Sequence, residues 1–352
     1  MSLPEFWFLL IAVLWTGYFV LEGFDFGVGS LLPVVARNDR DRRVAINTIG
    51  PVWDGNEVWL ITAGGATFAA FPEWYASLFS GFYLPLLVIL LALIVRGVAF
   101  EYRGKHDDPT WRARWDLAIV VGSVVPAFLW GVAFGAILAG VPLDADHEFA
   151  GSVLDLLSPY SLLGGLTTLT VFAFHGATFL SLKSDGPVRV RANDWARRLG
   201  PAAILLGGGF LLWTQLEHGT GFTWVTLLLA ATALIGAVVA NSRGREGWSF
   251  AGTAAAIVMT AVTLFGSLFP DVMPSSIDPA FSLTVDNASS GEYTLTVMTW
   301  VAVIFTPLVL LYQGWTYWVF RKRIGGPRQE VPSAEPEPTE PSPSSYADEV
   351  TR

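Results

Sequence analysis

The chain has 352 residues, of which 53% are hydrophobic and 14% charged, with a formal net charge of −9 and no cysteine. A soluble domain carries about a quarter charged residues, so this composition excludes an ordinary soluble protein and makes the bilayer the expected solvent. The lack of thiols excludes a disulfide framework and a thiolate metal site.

A membrane helix needs roughly 20 apolar residues, and the chain offers about nine such stretches. The first is Trp7–Val35. No Lys or Arg precedes Arg37, so it lacks the basic flank of a cleavable signal peptide and is expected to be retained. Its second half reads LEGFDFGVG, residues 21 to 29, which sets Glu22 and Asp25 on one helical face beside a Gly23/Gly27 pair, with Gly29 just beyond. The second stretch, Val52–Phe71, opens with Trp53, Asp54 and Glu57 and carries Gly64 and Gly65. Tyr75–Phe100, Leu117–Gly140, Leu157–Leu182, Leu199–Leu216, Phe222–Ala240, Trp248–Phe269 and Thr294–Phe320 follow. Most Trp residues near segment ends read as interfacial anchors, and no internal repeat marks a transporter built from inverted halves.

The loops set the orientation, because Lys and Arg in short loops are retained on the cytoplasmic side. All 21 basic residues fall at or after the ends of the first, third, fifth, seventh and ninth segments, and the opposite loops are acidic. The amino terminus is therefore expected outside and the carboxyl terminus in the cytoplasm. Residues 1–324 read as one polytopic domain, and the Pro, Glu and Ser-rich residues 325–352 as a disordered cytoplasmic tail that carries much of the net charge.

With that orientation, Glu22, Asp25, Asp54 and Glu57 converge on the cytoplasmic side of two neighbouring helices, neither of which has a basic residue in that half. Ionisable groups inside membrane segments are costly and usually face a cavity or pathway. Asp54 reads equally as a helix cap or as a proton carrier. Glu22 and Glu57 read as partners of loop arginines such as Arg42 or Arg43, or of a second subunit. Asp25 is far from any cap position, so it needs a partner or an altered proton affinity, and both suit a proton relay. His175 is the single membrane histidine, an expected hydrogen-bonded interface residue or cofactor contact. One such histidine is too few for a multi-haem centre, and no metal site is expected.

The blocks LEGFDFGVG, RNDRDRR (37–43) and GPVWDGNEVWLITAGGATFAAFP (50–72) resemble subunit II of cytochrome bd-type quinol oxidases. So do HGATFL (175–180), LFPDVMPSS (268–276), residues 80–103, 115–142 and 295–320. The resemblance covers essentially the whole membrane part. It implies an all-α membrane protein of two four-helix bundles plus one peripheral helix, in a bacterial cell (inner) membrane. It further implies a terminal oxidase that oxidises quinol and reduces dioxygen to water. Haem b and haem d belong to the partner subunit I, a quinone can be held against subunit II, and small accessory subunits can join; membrane lipids surround the complex and no nucleic acid is involved. Asp25 and Asp54 match the two carboxylates of the family's cytoplasmic proton path, and Trp53 matches its tryptophan, with Glu22 and Glu57 supporting the entrance. The competing readings are a stand-alone ion or solute transporter, which predicts broken helices near the midplane, and a purely structural anchor for subunit I.

Overall fold

The computed structural model describes residues 1–325, and the Pro-rich stretch from residue 326 on lies outside the described residues. Helix α1, Leu3–Val35, is started by a capping box between Ser2 and Glu5. It is followed by α2, Asp39–Ile49, and α3, Trp53–Ala70. Helices α4, Pro72–Gly81, and α5, Tyr83–Tyr102, come next. Then follow α6, Pro109–Ala139, and α7, Pro159–Lys183. The last four are α8, Gly186–His218, α9, Gly221–Ser242, α10, Glu246–Leu268, and α11, Glu292–Val319.

Helices α1, α3, α5 and α6 form one four-helix bundle and α7 to α10 a second. The bundles join through α1 and α6 against α7, and through α1 against α10. The tight contact between α1 and α7 rests on paired glycines. A Cβ on Gly27 would strike the Phe172 carbonyl oxygen and come 2.7 Å from the Gly176 backbone. Gly64 and Gly65, by contrast, have nothing within 4 Å of that position and mediate no close approach. In α11 only Leu295 is buried, so this helix is peripheral.

Eight of these helices are long and apolar enough to cross a membrane, which makes the chain a multi-pass membrane protein. The expected second span is α3, whose 18 residues include Asp54, Asn56 and Glu57 and which is not among the eight. The expected third span divides at Phe82 into α4 and α5. Pro85 accounts for the break: it has no N–H and fits the first turn of a helix, where that donor is unused anyway. Helix α2 replaces what reads in sequence as a basic loop; Asn38 caps it by accepting from the Asp41 N–H.

The two ends of the bundles differ chemically. At one end, Arg103 donates to Asp116 at 2.6 Å and to Asp39 at 2.8 Å, and Arg42 reaches Asp116 at 3.0 Å. Arg191 meets Asp41 at 2.5 Å, and Glu246 accepts from Arg189 and Arg323. Asp39 and Asp41 thus tie α2 to the α5–α6 turn and to α8, while Glu246 ties the start of α10 to α8 and to the segment after α11. Partial burial opposes it, but the Arg103 and Arg112 guanidiniums hold the Asp39 carboxyl below its ordinary range. At the other end, the residues between α6 and α7 pack on those between α10 and α11. The Val141 N–H donates to the Pro274 carbonyl at 3.0 Å, and a short antiparallel ribbon pairs Asp271–Met273 with Leu283–Thr284.

The arginine-paired end is expected to face the cytoplasm. A reporter fused beyond Arg323 should be active there and one inserted beside Asp146 only outside. Cytoplasmic labelling of the Asp146 loop would reverse the orientation.

Candidate functional site

Arg96 is the centre of the most unusual chemistry in the fold. It lies on α5 with no exposed surface, and Gly122 makes room for it: a Cβ there would stand 2.6 Å from the Arg96 Cβ. Its Nη2 donates to Glu22 Oε1 of α1 and, at 2.5 Å, to Glu57 Oε1 of α3. The guanidinium also stands 4.7 Å from the ring centre of Phe26 and 5.8 Å from that of Phe100. One cation therefore serves two carboxylates, and a buried charge is tolerable only with such partners. Even so, Glu22 Oε2 and Arg96 Nε and Nη1 are buried with no hydrogen-bond partner among the described residues.

Asp25, one turn along α1 from Glu22, is also fully buried. Its Oδ2 accepts from Asn56 Nδ2 of α3 at 2.7 Å, and its Oδ1 has no partner among the described residues. Asn56 is in turn gripped from α11. The Tyr317 hydroxyl donates to Asn56 Oδ1 at 2.7 Å and Gln313 Nε2 at 3.2 Å.

Asp54 stays apart from this cluster. It is exposed on the outward side of α3, in line with Val58, Ile61 and Phe68, which are also exposed. The cap position belongs to Val52, which makes no side-chain cap bond, so the capping role considered for Asp54 is not the one the helix start uses. Asp54 sits instead in the first turn, where free N–H groups and the helix dipole favour negative charge. Trp53 packs its ring 5.1 Å from Phe100 of α5.

The loop arginines expected to neutralise Glu22 and Glu57 have other partners: Arg42 pairs with Asp116, and Arg43 with Asp39 at 3.2 Å. The counter-ion is Arg96, which reads in sequence as the basic end of a segment. The apolar run LIVRGVAF continues past it, and that continuation is the signal that it lies inside the helix. Asn56, Gln313 and Tyr317 had no such signal, since a neutral polar residue in a membrane segment gives no clue to its partner.

His175 is buried between the bundles. Its Nε2 lies 3.1 Å from the Val20 carbonyl and its Nδ1 2.6 Å from the Thr253 hydroxyl, and the ring stacks on Phe250 at 4.7 Å. Both nitrogens are engaged within the chain, so the residue does not fit the role of a haem ligand. No group of three or more His, Asp or Glu suited to a metal ion occurs among the described residues.

The sequence pattern of the family described as "Cytochrome bd terminal oxidase subunit II" matches residues 3–320. The chain is 44% identical over 328 residues to "Cytochrome bd ubiquinol oxidase subunit 2" of Bacillus subtilis (strain 168), covering 92% of this chain and 97% of the relative. It is 36% identical over 356 residues to "Cytochrome bd-I ubiquinol oxidase subunit 2" of Escherichia coli (strain K12), covering 90% and 94%. In fold it is similar to a chain of the bd oxidase from Geobacillus thermodenitrificans, with a TM-score of 0.74 at 18% identity over 92% of this chain and 100% of that one.

Proposed function

We propose, for a chain that belongs to the cytochrome bd terminal oxidase subunit II family, that it acts beside a haem-bearing subunit I and delivers protons to it. The family's complexes are oxidoreductases of the respiratory chain, and this chain is a multi-pass protein of the bacterial cell membrane. In this reading the complex oxidises quinol and reduces dioxygen to water, the haems and the chemistry belong to subunit I, and Asp54 and Asp25 carry protons inward from the cytoplasm. Among the described residues, His175 is held as an internal bridge and offers a haem no ligand, which suits a supporting subunit.

One observation carries the proposal: the first turns of α3 stand between two carboxylates, its own Asp54 and Asp25 of α1. Asp54 is exposed on the outward face, and Asn56, on the inward face, holds the buried Asp25. A proton taken up at the first would need only to pass α3 to reach the second. The outward face of α3, together with α5 and α11, leaves many large apolar side chains exposed, among them Ile61, Phe68, Leu91, Ile94 and Leu308. That surface suits the docking of subunit I, an arrangement in which Asp54 would lie at the junction. A stand-alone transporter fits less well, since α1, α6, α8 and α11 each run continuously through an internal proline where a broken helix would be required.

The test is Asp54→Asn in the complete complex. Asn has nearly the size of Asp and cannot titrate, so assembly and haem content should hold while quinol-driven oxygen consumption falls by about tenfold or more. Glu73→Gln, on the exposed first turn of α4, should leave the rate unchanged. An assembled Asp54→Asn complex that respires at the wild-type rate across pH would reduce the carboxylate to a structural part.

A further inference from the structure

Helix α11 touches the bundles along one narrow stripe and is fixed by side-chain hydrogen bonds at two points. Near its start, the Trp7 indole N–H of α1 reaches Thr299 Oγ1 at 3.1 Å. Near its end, Gln313 and Tyr317 donate to Asn56 Oδ1. The second attachment is more specific than anchoring requires. Asn56 has no exposed surface and its amide uses its whole hydrogen-bonding capacity. Oδ1 accepts two bonds, and Nδ2 donates to Asp25 at 2.7 Å and toward the Leu21 carbonyl at 3.4 Å. A main-chain carbonyl can only accept, so the NH2 edge must face Leu21 and Asp25, and the two donors from α11 hold the opposite edge. The amide is locked with a donor aimed at the buried carboxylate.

We infer that Asn56, locked by Tyr317 and Gln313 of α11, is a positioning residue that sets the orientation and proton affinity of Asp25. The inference rests on the proton-delivery reading of Asp25. A donor to a carboxylate favours its charged form, and losing that donor makes the proton harder to remove. The ionisable groups whose charges bear on Asp25 are Glu22 of α1, Glu57 of α3, Arg96 of α5 and Tyr317 itself, whereas Tyr18 of α1 is engaged by Trp130 and His175 of α7 by Val20 and Thr253. Helices α6 and α10 contribute Asp116 and Glu246, paired with arginines at their starts. None of these groups changes in the variants below, apart from the Tyr317 hydroxyl.

The experiment uses the complete complex with its haem-bearing partner and reads haem content and the pH profile of quinol-driven oxygen consumption. In Asn56→Ala the profile should move to higher pH by about one unit or more, the size expected for a lost hydrogen bond to a charged group. Tyr317→Phe keeps the ring that packs edge-on to Phe24 and removes only the hydroxyl. It should move the profile the same way by less, and should add nothing when combined with Asn56→Ala. Tyr317→Phe carries the test alone if Asn56→Ala does not assemble. Profiles unchanged in assembled variants, or effects that simply add, would overturn the positioning role provided Asp25→Asn is slow. If Asp25→Asn respires at the wild-type rate, the underlying proton reading falls first.

Discussion

Asp25→Asn should lower quinol-driven oxygen consumption by about tenfold or more while the complex keeps its haem and its stability. The residue has no exposed surface, and one of its oxygens has no partner among the described residues. Replacing it with a neutral amide of nearly the same shape removes the cost of holding an acid in a dry interior, so folding should not suffer. The oxygen of the substituted amide can still accept from Asn56, which preserves the bond that positions α3. What disappears is the ability to take up and release a proton. Turnover should therefore fall without the loss of assembly that a structural defect would bring. A variant complex with full haem content and an unaltered rate between acid and alkaline pH would remove Asp25 from the proton route.

The second large effect concerns Arg96. Arg96→Gln leaves Glu22, which is fully buried, and Glu57, whose side chain is 22% exposed, without their shared cation. Removing one partner from a buried ion pair costs about 3–5 kcal/mol, because the remaining charge is left in a poor solvent for it. The yield of assembled complex and its resistance to thermal inactivation should both drop. Adding Glu22→Gln should recover part of the loss, since the uncompensated charge is then removed as well. Wild-type thermal resistance in the single variant would mean that the two glutamates are not held by Arg96 in the membrane. This effect on assembly separates Arg96 from Asp25: the arginine keeps the site built, and the aspartate is the group proposed to move protons through it.

Much of this was legible in the residues themselves. The hydropathy pattern gave the membrane class because burying apolar length in lipid depends only on local composition, and every long span except the polar-headed α3 meets that test. The basic clusters do gather at one end of the bundles, since charge in short loops is a local property too. The family resemblance, carried by blocks such as LEGFDFGVG and WDGN, agrees with the family match over residues 3–320. Asp25 stood out because a carboxylate in the middle of an apolar helix is costly wherever the helix packs.

The partners were another matter. Glu22 could have paired with Arg42 or Arg43 as readily as with Arg96 until α5 was placed against α1, because residues 74 positions apart in the chain meet only through packing. The lock on Asn56 joins α1, α3 and α11 across 261 positions. Local sequence also could not foresee that the run 75–100 would split at Phe82, or that α2 would form on the surface, where polar contacts with Arg103, Arg112 and Arg191 decide its place. The sequence by itself determined which residues enter the membrane and which of them are expensive there, since transfer into lipid is close to a sum over residues. Only the tertiary structure decided which charges meet, because a buried ion pair or a saturated amide depends on distance and direction between helices that are remote in the chain.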